Sequence, residues 1–263
     1  MLRYKKKVDF EAVHAETVRA CQTWRELHEK VPEEIRQEFR SKLVISIIYH
    51  DAALEGAVLT HSEIKASIDK SIISDTSLIP SYETINNFNN ALLCGFEMAS
   101  QKRKAISLES IKAIQKQLRP EIDAAYRKEN PLHRLYYHEI APPEKISGRM
   151  RKLADWLEDG DAKLLRPIER ASLLHWKLMA AFPWGESTGR TARIVANTLL
   201  EHEGFPLAVL HSIDRQRYYE SLRSSDHRQL FLMYLEAVET TAVAAVRVYE
   251  EAWQKRGRRK RAS

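Results

Sequence analysis

Nearly the whole chain repeats its apolar residues at helical spacing, and little in it can interrupt that pattern. Apolar side chains recur three or four positions apart over 8–29, 32–56, 82–103, 107–118, 144–159, 161–182, 188–203, 214–224 and 228–255. That spacing puts them on one face of a helix. Only 8 glycines and 9 prolines occur in 263 residues, too few for a turn-rich β architecture. The expected fold class is all-α, with a helical N-terminal part packed on a helical core.

The punctuation supports this division. Val31-Pro32 stops the first helix, and Pro32 opens the second, where a missing N–H is harmless. Gly56 suits a C-terminal cap, and Thr60-His61-Ser62-Glu63 has capping-box spacing. Residues 71–80 read as a loop. Gly204-Phe205-Pro206 stops the helix over 188–203. One stretch departs from the pattern: Leu132–Ile140 is short, rich in β-formers and closed by Ala141-Pro142-Pro143, so a small β-hairpin flap is expected there.

Charge and cysteines exclude several functions. The formal net charge is +6, and six basic residues lie in Lys255–Arg261; without that run the body is neutral. A neutral body does not suit a nucleic-acid-binding surface. The tail itself is expected to be a frayed end, with nucleic acid, anionic lipid or an acidic partner as possible contacts. Cys21 and Cys94 are far apart and show no metal-site spacing, so both read as small buried hydrophobes in a reducing compartment. No 18-residue apolar run is present, and no apolar segment follows the basic start Met1–Lys7. A membrane span and a secretory signal are therefore not expected, and a cytoplasmic location is.

The segment that carries chemistry is Ala181-Phe182-Pro183-Trp184-Gly185-Glu186-Ser187-Thr188-Gly189-Arg190-Thr191-Ala192-Arg193. It joins two helices and places Ser187, Thr188 and Gly189 at the N-terminus of the second. Free backbone N–H groups and the positive dipole end make such a place an anion site. Arg190 and Arg193 lie three residues apart on one face. Two cations at a helix N-terminus oppose its dipole unless an anion joins them. Glu186 adds a carboxylate able to hold a magnesium ion that bridges phosphate oxygens. The alternative is an ordinary helix capped by Thr188 or Ser187, with solvated arginines.

This segment resembles the signature of the Fic (Fido) family, His-Pro-Phe-x-Asp/Glu-Gly-Asn-Gly-Arg-x-x-Arg. Pro183, Glu186, Gly189, Arg190 and Arg193 match it, and Trp184 exchanges one aromatic for another. Phe182 falls on the histidine, Ser187 on the first glycine and Thr188 on the asparagine. Further blocks over roughly 107–245 follow the family in order: Ile140–Pro143 with Met150 and Trp156-Leu157, His175, Ala192–Leu200 with Gly204–Pro206, and Asp214–Tyr219. Asp51-Ala52-Ala53-Leu54-Glu55-Gly56 is similar to the family's inhibitory motif, Ser/Thr-x-x-x-Glu-Gly/Asn, with Asp51 in place of the hydroxyl residue. The resemblance implies an N-terminal helical region over 1–106 carrying that motif, a Fic-like core over 107–250, and a basic tail over 251–263.

What the resemblance implies for function is equally specific. Family members transfer AMP from ATP to a protein hydroxyl with Mg2+, and the histidine accepts the hydroxyl's proton. The phosphate-binding residues carried over are Ser187, Thr188, Gly189, Arg190 and Arg193, the metal residue is Glu186, and the inhibitory partner of Arg193 is Glu55. A protein target would dock at the flap, 132–140. Phe182 has no atom that can accept a proton, and Ser187 is strained if its φ is positive. Anion binding is thus expected to persist without efficient AMP transfer. The alternatives are an active nucleotidyl- or phosphoryl-group transferase with a different base, or a purely protein-interaction or regulatory domain. His175 lies about two turns from Phe182, roughly 10 Å, and reads as a satisfied core histidine. His138 reads as a surface histidine, and Tyr136, Tyr137, Tyr218 and Tyr219 as packing or target-docking aromatics.

Overall fold

The computed structural model describes residues 9–69, 81–101, 106–131 and 138–262, with side chains described as far as 255. Eleven α-helices and no strand occur among the described residues. The expected loop at 71–80 lies outside them. So does 132–137, which holds most of the expected hairpin flap with Tyr136 and Tyr137.

Local signals set most helix ends. Asp9 accepts from Glu11 N and Ala12 N to open α1 (Phe10–His28). Helix α2 (Glu33–Leu54) begins after Pro32. It ends where Gly56 N–H donates to Ala53 O and Ala57 N–H to Ala52 O, with Gly56 at φ 88°. This paired closure needs a left-handed residue, which glycine supplies without a Cβ clash. The capping box of Thr60 and Glu63 starts α3 (His61–Ile68). After α4 (Tyr82–Ser100), α5 (Leu108–Leu118) and α6 (Pro143–Glu158), the helix expected over 161–182 is in fact two. They are α7 (Gly160–Leu164) and α8 (Pro167–Ala181). Pro167 excludes the helical conformation at Arg166, whose ψ is 139°.

Helix α9 (Thr188–His202) is the axis of the fold, and 12 of its 15 residues are buried. Helices α4, α5 and α8 surround it. Its contact with α4 is close at Gly95, where an added Cβ would stand 2.5 Å from Thr198 Oγ1. Buried residues on both sides of position 106 belong to one hydrophobic cluster.

Helix α10 (Arg215–Arg223) leads to α11 (Arg228–Ala262). Phe10 meets Phe231, Thr17 reaches Leu235 O, and His28 bonds Tyr249. These contacts advance in step, so α1 and α11 run parallel. By length and composition Arg228–Lys255 could cross a membrane, but 56% of its apolar window is buried inside the fold. The basic run, expected as a frayed tail, continues α11 to Ala262. Lys and Arg are good helix formers, and positive charge suits a helix C-terminus.

Candidate functional site

The loop between α8 and α9 is bounded by two left-handed residues. Phe182 closes α8 at φ 45° and ψ 60°, its N–H donating to Leu178 O at 2.9 Å. Ser187 precedes α9 at φ 65°. A left-handed backbone costs an L-residue roughly 1–2 kcal/mol, so the strain expected at Ser187 is present, and Phe182 adds a second instance. Ser187→Gly is expected to stabilise the fold by about 1 kcal/mol, measured as a raised urea midpoint with an unchanged slope.

Arg127, which the sequence reading passed over, holds this loop in shape. Its Nε donates to Phe182 O at 2.8 Å, a second guanidinium nitrogen donates to Ala141 O, and its backbone N–H donates to Pro183 O at 2.9 Å. One donor-only side chain thereby ties α8, the loop and the entry to α6 together. Arg127→Ala is expected to lower the unfolding free energy by about 2–4 kcal/mol in urea titrations. Trp184 adds a bond from Nε1 to Ala124 O at 3.1 Å.

The ring of Phe182 is fully buried, 6.0 Å from the ring of His138 and inclined at 64° to it. His138 is itself buried, not at the surface as expected. Its Nε2 lies 3.1 Å from Met179 O. A carbonyl can only accept, so Nε2 carries the proton and Nδ1 the lone pair. That Nδ1 has no hydrogen-bond partner among the described residues, and burial lowers the His138 pKa.

Thr188 does not offer its hydroxyl to a ligand. The residue is fully buried, and its Oγ1 donates to Trp184 O at 2.7 Å while accepting from Trp184 N at 3.1 Å. The hydroxyl closes the loop instead of replacing the asparagine as a donor.

The two arginines already have their anions. Asp51 Oδ1 accepts from Arg193 Nε at 2.5 Å, and Oδ2 accepts from Arg190 Nε at 3.1 Å. Glu55 Oε1 accepts from Arg193 Nη2 at 2.5 Å. The same Oε1 lies 2.6 Å from the place a Cβ on Gly189 would occupy, directly over the first turn of α9. The opposition between two cations and the helix dipole is thus relieved by carboxylates of α2. Burial acts to lower the Arg193 pKa, but Asp51, Tyr218 and Glu55 outweigh it and hold the guanidinium well above its ordinary value.

The expectation that both guanidiniums face one cavity holds only for Arg190. A cleft of about 500 Å³ is lined by Glu55, Arg119, Glu186, Ser187 and Arg190, among others. Arg193 does not line it; at 7% exposure it is drawn into the core by its partners. Glu186 is largely exposed and paired with Arg119, a contact the sequence reading missed. No group of three His, Cys, Asp or Glu residues able to hold a metal occurs among the described residues.

Behind Arg193 runs a buried polar chain. Arg193 Nη1 donates to Tyr218 OH at 3.0 Å, so the Tyr218 hydroxyl hydrogen is directed to His175 Nε2 at 3.0 Å. His175 Nδ1–H then donates to Tyr234 OH at 2.7 Å. Because a guanidinium only donates, the arrangement that satisfies every group runs from Arg193 to Tyr234, with the His175 proton on Nδ1. His175 is a satisfied core histidine, as expected. Burial, then Arg193 and His138, hold its pKa well below the usual value. His50 is pushed down to about 4 by burial and His211.

These folded-state values lie below the unfolded value of about 6.5. The unfolded chain therefore binds more protons in acid, and the stabilisation is complete above about pH 6.5 and lost as pH falls towards 4. The urea midpoint should drop between about pH 7 and pH 5; a flat profile would contradict the buried neutral state of these rings.

The Fic/DOC family model matches residues 105–200. A protein adenylyltransferase Fic of Nematostella vectensis is 30% identical over 191 residues, covering 68% of this chain and 43% of its own length. The chain belongs to the Fic/DOC family. Protein adenylyltransferase fic-1 of Caenorhabditis elegans is 26% identical over 178 residues, covering 66% of this chain and 35% of its own. The chain thus spans less than half the length of these curated Fic relatives. Among solved structures, a Fic domain containing signaling protein from Bacteroides thetaiotaomicron VPI-5482 superposes with a TM-score of 0.78 at 20% identity, covering 90% of this chain and 97% of its own. Fic-1 from C. elegans gives 0.74 at 22%, covering 93% and 74%. These likenesses show the Fic fold.

Proposed function

We propose that this protein is a Fic-fold binder of a nucleotide or another phosphate-bearing ligand that is deficient in AMP transfer. The carrying observation is Phe182, a fully buried ring with no proton acceptor, closing an otherwise intact helix–loop–helix. In AMP transfer a protein hydroxyl oxygen forms a bond to the α-phosphorus of ATP, the bond to the β-phosphate oxygen breaks, and pyrophosphate leaves. The hydroxyl proton must go to a base, and position 182 offers none.

The remaining residues suit phosphate. Ser187, at the start of α9, and Arg190, in its first turn, border the cleft, and a helix start beside a guanidinium favours anions. Mg2+ fits Glu186 only together with the ligand, because magnesium is commonly held by one or two carboxylates plus phosphate oxygens and water. Loading it exchanges the ion pair of Glu186 with Arg119. Glu55, lying over Gly189, acts as the inhibitory carboxylate that must withdraw first. A protein target would dock at the flap, where Glu139 is exposed among the described residues 138–140. The free thiols of Cys21 and Cys94 suit a reducing compartment such as the cytoplasm.

Titration of the chain with ATP and Mg2+, followed by thermal unfolding, tests this reading. Ligand at 100 times its Kd stabilises by about 2.7 kcal/mol, and Arg190→Ala is expected to abolish that gain. No stabilisation by any nucleoside triphosphate, in the wild type or with Glu55 and Asp51 replaced, would sink it.

A further inference from the structure

We infer that Asp51 is a second inhibitory carboxylate, which keeps Arg193 turned from the cleft and Arg190 engaged after Glu55 has withdrawn. The inference rests on the reading of the α8–α9 loop as an obstructed anion site. In this motif the family carries a hydroxyl residue at position 51, so the device belongs to this chain.

Asp51 and Glu55 are four residues apart on α2 and therefore share a face, yet they do different things. Glu55 is bound to one guanidinium, its side chain is 22% exposed, and its oxygen covers the first turn of α9. Asp51 is 4% exposed and gives one oxygen to each guanidinium. Glu55 fills the place of the anion, and Asp51 holds the groups that would bind it.

The consequence follows from removing each in turn. Without Glu55, Arg193 keeps Asp51 and Tyr218, and Arg190 keeps Asp51. Without Asp51, Arg193 keeps Glu55 and Tyr218, but the Arg190–Asp51 ion pair is lost. Attraction at a buried site is screened far less than at an exposed one, so the Asp51 pair is the stronger hold. The end of α2 also stays anchored without Glu55. Leu54 O accepts from Arg215 Nε at 2.9 Å and from Tyr219 OH at 3.1 Å, and His50 Nδ1 lies 3.1 Å from Ser212 Oγ. Opening therefore needs the charge on residue 51 removed, not only that on residue 55.

Two readouts on the full chain test this, using E55G, D51S and D51S/E55G. The first is Mg-ATP affinity by calorimetry. E55G is expected to stay within about threefold of the wild type, and D51S/E55G to bind at least about 30-fold more tightly than E55G. E55G binding as tightly as the double variant would overturn the inference. The second readout needs no nucleotide: hydrogen exchange of the α2 amides from 44 to 54. D51S is expected to raise their exchange about tenfold and E55G less than about threefold; equal rates would overturn the inference. If exchange behaves as expected and no variant binds nucleotide, the Asp51 latch stands and the nucleotide reading fails. D51N, which keeps the side-chain shape without the charge, carries the same expectations should D51S not fold.

Discussion

Phe182→His, added to D51S/E55G, is expected to raise transfer of label from α-labelled ATP to a protein hydroxyl by about 10²–10⁴-fold over D51S/E55G. That range is what a positioned general base contributes, and Arg190 and Glu186 already line the cleft beside the loop. The substitution should also be tolerated by the backbone. Residue 182 sits at φ 45°, where histidine is several-fold enriched among non-glycine residues and bulky side chains are outliers. The new imidazole would lie beside His138, whose Nδ1 has no partner among the described residues. Donation from one nitrogen to that lone pair would leave the other free to take a proton. The background matters as much as the base, since Asp51 and Glu55 engage both guanidiniums. Label incorporation no higher than in D51S/E55G, in a folded variant that binds Mg-ATP, would show that the loop departures at Ser187 and Thr188 also disable the chemistry.

The sequence reveals this site unevenly, and the reason is sequence distance. Pro32, Gly56, Thr60 and Gly204 mark helix ends through bonds to residues a few positions away, and the structure follows each of them. The left-handed strain at Ser187 is legible because Ser187 falls on the first glycine of the family signature. Pro167 was an equally local signal within the run expected over 161–182, and it does start a new helix. The carboxylate partners of the arginines lie 138 to 142 positions away, where no local pattern reaches. Glu55 was found through a resemblance to a motif. Asp51 is a mismatch to that motif, and only its spacing from Glu55, which puts both carboxylates on one face, marks it in the sequence. Two arginines at a helix start require an anion, and the fold supplies it from the carboxylates of α2. Arg127 and Arg119 carried no motif at all, and only the packing of the 119–130 segment against the loop gives them a role. His138 was misplaced because its burial depends on α8, not on its own neighbours.

Arg193→Met is expected to cost about 3–5 kcal/mol of unfolding free energy, the usual penalty for stripping one partner from a buried ion pair. Methionine keeps the length and apolar contacts of the stem, so the loss reports the guanidinium. Three acceptors are then left without a donor: Asp51 Oδ1, Glu55 Oε1 and the Tyr218 hydroxyl oxygen. Glu55, the more exposed of the two carboxylates, can turn to water. Asp51, at 4% exposure, keeps only Arg190. The polarity of the Tyr218–His175–Tyr234 chain also loses its origin, and the tautomer of His175 is no longer imposed from one end. A partial repair distinguishes the charge effect from simple loss of packing. D51N/R193M removes the stranded charge, so its destabilisation in urea should fall short of the sum of the single variants by about 0.5–3 kcal/mol, the coupling expected of residues in direct contact. Strict additivity would mean that Asp51 and Arg193 do not act as a unit, and the two-carboxylate clamp on α9 would have to be abandoned.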